Sequence, residues 1–144
     1  MYKRILIPTD GTSITSHAVE AALGLARLAG GEIFAVAVKE PFPYSAISEM
    51  QPVPPQEFYD AQERIASTRI KAVVDAAKAA GIACSGHTVE ALHPWEAILD
   101  HAKTQQCDLI VMASHGRRGI SALLLGSETQ RVLIHSTLPV LVVR

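Results

Sequence analysis

The sequence predicts an α/β fold in which helices cover both faces of a five-stranded parallel sheet. Short, entirely apolar runs, such as Ile5-Leu6-Ile7 and Leu109-Ile110-Val111-Met112, are typical of strands that are buried on both faces. Between these runs, apolar residues recur at the spacing of amphipathic helices. Alternation of this kind favours parallel strands joined by right-handed helical crossovers.

The first strand is expected to end at Pro8, where turn residues begin. Thr12 or Ser13 can cap the helix that follows, and Gly30-Gly31 ends it. A second entirely apolar run, Ile33 to Val38, predicts the next strand.

The middle of the chain repeats the strand–helix alternation. Apolar residues recur from Ala61 to Ala76 in a second helix, which Gly81 ends. The segment from Ile82 to Val89 is more polar, so we expect a strand near a sheet edge. Pro94 begins a third helix, and Leu109 to Ala113 forms the fourth strand.

The last elements are a helix at Ser127 to Ile134 and a strand at Val140 to Val143. One connection is long: Lys39 to Gln56 contains five prolines and has no clear period. We interpret it as a variable surface loop, and a lid over a ligand is the alternative.

Composition limits the possible functions. Hydrophobic residues make up 49% and charged residues 19% of the 144 residues, which is typical of one globular domain. The formal net charge of −1 gives no overall basic field for nucleic acid or a membrane surface. Two isolated cysteines and the lack of a run of ~20 apolar residues favour a cytoplasmic protein with reduced thiols.

Ligands of parallel sheets bind at the carboxyl ends of strands where the strand order reverses. The candidate loops are Thr9–Gly11 after the first strand and Ser114–Gly126 after the fourth. In the second loop, Gly116 permits close approach of the backbone, and Arg117 and Arg118 can neutralise phosphate charge. The helix beginning at Ser127 adds N–H groups and a positive dipole end, so the sequence predicts an anion site. The Walker and dinucleotide motifs are both absent from the sequence.

These residues resemble the nucleotide-binding branch of the universal stress protein family. The motif G-x2-G-x9-G-[ST] of that branch matches Ala113, Gly116, Gly126 and Ser127, with alanine in place of the first glycine. The segments 5–11 and 138–144 also look like the ends of the family's chains. The resemblance implies one domain over residues 1–144 with a Rossmann-like, adenine nucleotide alpha hydrolase-like fold. It also implies the strand order 3-2-1-4-5.

The resemblance further implies an adenine nucleotide ligand, ATP or AMP, with Mg²⁺ as a companion of the phosphates. Asp10 would contact the ribose hydroxyls or a phosphate-bound metal, and Val38 would line the adenine near Pro8. Residues 113–119 would wrap the ribose and phosphates, and α-helical N–H groups after Gly126 would complete the phosphate cradle. The expected site comprises Pro8, Asp10, Val38, Ala113, His115, Gly116, Arg117, Arg118, Gly119, Gly126, Ser127, Glu128 and Thr129.

Other interpretations of the same residues are more ordinary. Asp10 by itself is typical of an Asx turn or a helix cap. His93 and His101 are eight residues apart, which is too far to share a metal on one helix face. We therefore expect surface histidines and no metal site, with a ligand contact only at His115. Ser114 is not expected to contact its neighbour His115. We predict no dedicated catalytic residues, and at most slow hydrolysis of ATP.

The apolar terminal strand, Val140 to Val143, predicts an exposed edge that pairs with a second copy. Burial of this strand by its own neighbours is the alternative. The resulting hypothesis is a homodimeric regulator of stress adaptation that binds an adenine nucleotide and acts on an unknown signalling partner. Two rival hypotheses are a dimeric interaction module without nucleotide, which Ala113 keeps open, and a slow ATPase.

Overall fold

The computed structural model describes residues 1–43, 55–116 and 124–144. Strands and helices alternate along the chain as predicted. They are β1 (Arg4–Pro8), α1 (Ser13–Ala29), β2 (Glu32–Lys39), α2 (Gln56–Ala79), β3 (Cys84–Glu90), α3 (Pro94–Thr104), β4 (Leu109–Ala113), α4 (Ser127–His135) and β5 (Val140–Val143).

The five strands form one parallel sheet in the order β3-β2-β1-β4-β5, which confirms the expected topology. Side chains alternate between the two faces along each central strand. Ile5 and Ile7 pack with α1 and α2, whereas Leu6 packs with α3 and α4 on the opposite face. The strand order reverses between β1 and β4, so the crevice expected in this fold lies at their carboxyl ends.

Several element boundaries differ from the sequence-based expectation. Helix α2 begins five residues before Ala61, at Gln56, and β2 extends through Lys39. Strand β3 begins at Cys84 because the Ile82 N–H donates to the carbonyl of Ala77 at the end of α2. Residues 44–54 of the expected lid or surface loop lie outside the described residues.

The two cysteines are free. Cys107 is buried and Cys84 is half-buried. Burial raises the pKa of each thiol to about 11, so both remain protonated and weakly nucleophilic near neutral pH. In the described parts of the chain, every helix is too short or too polar to cross a membrane.

One expected surface histidine is buried. The side chain of His101 turns inward from α3 and His101 is only 8% exposed. Its ring centroid lies 4.9 Å from that of His87 on β3. The expected surface position is therefore wrong for His101, whereas His87 is exposed as expected. The helical spacing alone could not reveal the pair, because it depends on how α3 packs against the sheet edge.

Stability is expected to fall in mild acid because of His101. Burial, followed by the charge of His87, lowers the pKa of His101 from its ordinary value of 6.5. The folded chain therefore binds a proton there less readily than the unfolded chain, and the free energy of unfolding drops as pH falls below that value. Urea unfolding between about pH 5 and pH 8 should show a shallower decline for His101→Gln than for the wild type. The exposed control His93→Gln should keep the wild-type slope, and equal slopes in all three proteins would contradict the assignment.

Candidate functional site

The loops after β1 and β4 meet at the carboxyl ends of these two central strands. An ideal Cβ built on Gly116 would lie 2.6 Å from Oδ2 of Asp10. This contact joins two segments that are more than a hundred residues apart in the sequence. The absence of a side chain at Gly116 is therefore what allows the Asp10 carboxylate to lie against the second loop.

The two oxygens of Asp10 have different surroundings. Oδ1 accepts hydrogen bonds from the Thr12 N–H at 3.0 Å and from the hydroxyls of Thr12 and Thr15, both at 2.7 Å. The bonds from Thr12 form an Asx-type turn before α1, and the bond from Thr15 ties that turn to the first turn of the helix. Oδ2 is the oxygen beside Gly116. One carboxylate oxygen thus organises the turn, while the other faces the candidate crevice.

Ala113 occupies the first position of the glycine motif and is the last residue of β4. It pairs with Val143 of β5 in extended backbone and is only 9% exposed. Its carbonyl accepts a hydrogen bond from the Thr129 hydroxyl at 3.0 Å. A residue in extended conformation does not need glycine, so the alanine methyl group is accommodated without backbone strain.

Helix α4 begins at this loop. Gly126 is the N-cap residue, and within the described ranges no side chain caps the helix there. The N–H groups of the first turn, from Ser127 to Thr129, therefore lack partners within the helix and carry its positive dipole end. The Gly126 N–H donates to the carbonyl of Ser114 at 2.8 Å, which closes the loop onto the end of β4.

Ser114 and His115 contact each other, contrary to the sequence-based expectation. Oγ of Ser114 lies 3.1 Å from Nδ1 of His115, because the turn after β4 brings the neighbouring side chains to the same side. Ser114 is only 5% exposed. A buried hydroxyl cannot reach a substrate, so this contact orients the His115 ring at the loop and does not create an exposed nucleophile.

Pro8 and Val38 provide apolar surface at the ends of β1 and β2. Pro8 pairs with Val36, two residues before Val38, and both Pro8 and Val38 are half-buried. The Thr9 N–H donates to the carbonyl of Val36 at 2.9 Å and fixes the two strand ends relative to each other. Two half-buried apolar residues therefore lie at neighbouring strand ends, close in sequence to the turn that holds Asp10.

Two basic side chains of α2 lie near the site and were missed by the sequence analysis. An open cleft of about 420 Å³ borders Gly11, and its lining includes Arg64, Thr68 and Arg69. The stem of Arg69 packs across Gly11, with Cγ 2.9 Å from an ideal Cβ position there. The arginines carry no local motif; only the packing of α2 beside the turn after β1 places them.

Three of the expected site residues, Arg117, Arg118 and Gly119, lie outside the described residues. Among the residues that are described, no group of three or more histidine, cysteine or acidic side chains is placed to hold a metal ion.

The chain is similar to known proteins along its whole length. The model of the universal stress protein family matches residues 1–144. Universal stress protein MJ0531 of Methanocaldococcus jannaschii is 30% identical over all of this chain and 83% of its own length. The solved structure of MJ0577 from the same organism has a TM-score of 0.84 at 27% identity and covers 99% of this chain and 96% of that chain.

A further universal stress protein, solved in complex with cAMP, has a TM-score of 0.73 at 26% identity. The match covers 99% of this chain and 97% of that protein. Because the family model spans the full sequence, the chain belongs to the universal stress protein family.

Proposed function

We propose that this protein binds an adenine nucleotide, ATP or AMP, in the crevice between the loops after β1 and β4. The observation that carries the proposal is the contact of Asp10 with Gly116 beside the uncapped start of α4. A carboxylate that can accept from hydroxyls and a helix N-terminus that attracts anions are thereby placed together. The cAMP complex of a relative that is 26% identical supports an adenine nucleotide as the ligand.

Each part of the nucleotide has a chemical counterpart in this crevice. The adenine ring packs on Pro8 and Val38, and the ribose hydroxyls donate to Oδ2 of Asp10. The phosphates lie at the N–H groups of Ser127, Glu128 and Thr129, where the dipole of α4 favours negative charge. In the alternative arrangement, Asp10 would contact a Mg²⁺ ion bound to the phosphates in place of the ribose hydroxyls.

Titration calorimetry with ATP, AMP and cAMP tests the proposal directly. We expect saturable heat with at least one of them and none with ribose 5-phosphate at equal concentration, since the sugar phosphate lacks the base. Mass spectrometry of nucleotide released from the purified protein would identify the resident ligand. A protein that shows neither heat nor a thermal shift with any adenine nucleotide would favour the rival interaction module.

The variant Ala113→Gly tests whether the methyl group at the first motif position obstructs nucleotide binding. Because Ala113 is an extended strand residue, we expect its replacement to change nucleotide affinity by less than about threefold. The added backbone freedom should lower the free energy of unfolding by roughly 1 kcal/mol. Calorimetry and urea unfolding measure the two effects. A large gain in affinity would show instead that the methyl group obstructs the ligand.

We further propose that the protein acts as a homodimer joined through β5 and regulates a signalling partner. β5 is an edge strand, and Leu141 on it is 39% exposed. Nearby in the chain, α4 exposes 39% of Leu133 and 73% of Ile134. An edge strand flanked by exposed apolar side chains is a favourable surface for pairing with a second copy.

Leu141→Glu is expected to convert this dimer to a monomer, because two charged side chains would face each other at the paired edge. Sedimentation velocity measures the change. Leu28→Glu is the matched control, since Leu28 is 87% exposed on α1, and this variant should remain dimeric. Identical sedimentation of the wild type and Leu141→Glu would exclude β5 as the interface.

A further inference from the structure

Glu128 connects the start of α4 to the start of α3. Its Oε2 accepts a hydrogen bond from the Trp95 N–H at 2.8 Å. Trp95 lies in the first turn of α3, after the N-cap residue His93, whose side chain makes no capping bond. Glu128 therefore supplies from a neighbouring helix the acceptor that a capping side chain would normally provide.

The indole of Trp95 contacts the C-terminal end of α4. Its ring stacks on His135, the last residue of α4, with centroids 4.4 Å apart and an interplanar angle of 21°. Trp95 thus holds the first turn of α4 through its backbone and the last turn through its side chain. We call this pair of contacts the Trp95 tether.

The position of the Glu128 carboxylate matters for an anion site. Glu128 is in the first turn of α4, where its charge would oppose a bound phosphate if the side chain pointed toward the crevice. The bond to Trp95 directs the carboxylate toward α3, and Nη1 of Arg131 lies 3.3 Å from its other oxygen. The Trp95 N–H and the Arg131 guanidinium thereby hold the Glu128 carboxylate toward α3. The backbone N–H of Glu128 remains in the first turn of α4.

We propose that Glu128 is a positioning residue for nucleotide binding, acting through the Trp95 tether. This inference rests on the proposed function. Glu128 fixes the first turn of α4 against α3, and the Thr129 hydroxyl fixes it against the end of β4. With both bonds in place, the N–H groups of Ser127 to Thr129 are already oriented for phosphate, so little order is gained on binding.

The tether also links the nucleotide site to an optical signal. Trp95 is the single tryptophan of the chain. Phosphate bound at the first turn of α4 places negative charge near Trp95, and the bond through Glu128 holds the indole in one position relative to that charge and stacked on His135. Nucleotide binding is therefore expected to change the Trp95 fluorescence.

Four variants test the proposal by calorimetry and by Trp95 fluorescence. Glu128→Ala should weaken ATP or AMP binding about tenfold and abolish the fluorescence change, because the Trp95 N–H loses its acceptor. Glu128→Gln retains an acceptor oxygen and should keep both wild-type affinity and the signal. Arg131→Gln and Glu96→Ala remove nearby charges without removing the tether, and both should also give the signal.

The outcomes separate this inference from the proposed function. Wild-type affinity in Glu128→Ala would overturn the positioning role while leaving nucleotide binding intact. Equal weakening by Glu128→Gln and Glu128→Ala would assign the effect to charge and overturn the tether. Failure of the wild type to bind any adenine nucleotide would overturn both proposals. Hydrogen exchange of nucleotide-free Glu128→Ala separates loss of this hydrogen bond from misfolding. Loss of the bond speeds exchange at the Trp95 amide, whereas misfolding speeds exchange throughout the chain.

Discussion

Replacement of Gly126 by leucine is expected to abolish adenine nucleotide binding while the fold survives. An ideal Cβ on Gly126 would lie 3.0 Å from Cα of His115 and 3.2 Å from its Cβ. A leucine side chain must push the segment at Gly126 away from the segment at His115, because the nearest atom belongs to the backbone. The first turn of α4 would then move relative to Gly116 and Asp10.

Misplacement of positioning groups by ~1 Å can cost about a hundredfold in function, and we expect an affinity loss of at least that order for Gly126→Leu. The fold should persist because Gly126 lies outside the two core clusters and has an ordinary backbone conformation, with φ −61°. Circular dichroism and calorimetry measure the two properties separately.

Gly24→Leu is the matched control for this substitution. Gly24 lies within α1, and an added Cβ there would meet nothing within 4 Å. Leucine favours a helix interior over glycine by about 1 kcal/mol, so the control should bind normally and unfold at a slightly higher temperature. Unchanged affinity in Gly126→Leu would place the nucleotide elsewhere or exclude it from this protein.

The fold could be predicted from sequence because its signals are local. Ile5 to Ile7 and Leu109 to Met112 are apolar at every position, which indicates strands covered on both faces. The polar residues of β3 indicate an edge, and the structure places β3 there. The start of α2 was missed because its first turns lie mostly in solvent, where an apolar period is not required.

The candidate site could be predicted only in part. Glycine spacing and the position of Asp10 indicate which loops meet, since both follow from the strand order. The bond from Trp95 to Glu128 joins residues 33 apart on two helices and leaves no spacing pattern. The same holds for the packing of Arg69 on Gly11 and of His101 on His87. Such contacts depend on the relative placement of whole elements.

Asp10→Ala is expected to weaken both the protein and its nucleotide complex. Oδ1 accepts three hydrogen bonds within the turn before α1, and bonds to a charged group contribute about 1.5–3 kcal/mol each when removed singly. The three bonds share one acceptor and solvent replaces part of the loss, so we expect the free energy of unfolding to fall by about 3 kcal/mol. Urea unfolding measures this effect.

Asp10→Asn distinguishes the two oxygens of the carboxylate. Asparagine can retain an acceptor oxygen at the Oδ1 position, where Thr12 and Thr15 donate, and place its amide nitrogen beside Gly116. The turn should then remain nearly as stable as in the wild type. The ribose hydroxyls would lose a charged acceptor, and affinity should drop about tenfold.

The matched control is Asp75→Asn, which removes one carboxylate charge from the exposed surface of α2. It should retain wild-type affinity, since Asp75 contacts Lys71 only one turn away on the same helix. If Asp10→Asn binds as tightly as this control, Asp10 has a purely structural role and the ribose lies elsewhere. If Asp10→Asn instead loses affinity but keeps its stability, the carboxylate that organises the turn also recognises the ligand, and Thr12 and Thr15 fix its orientation.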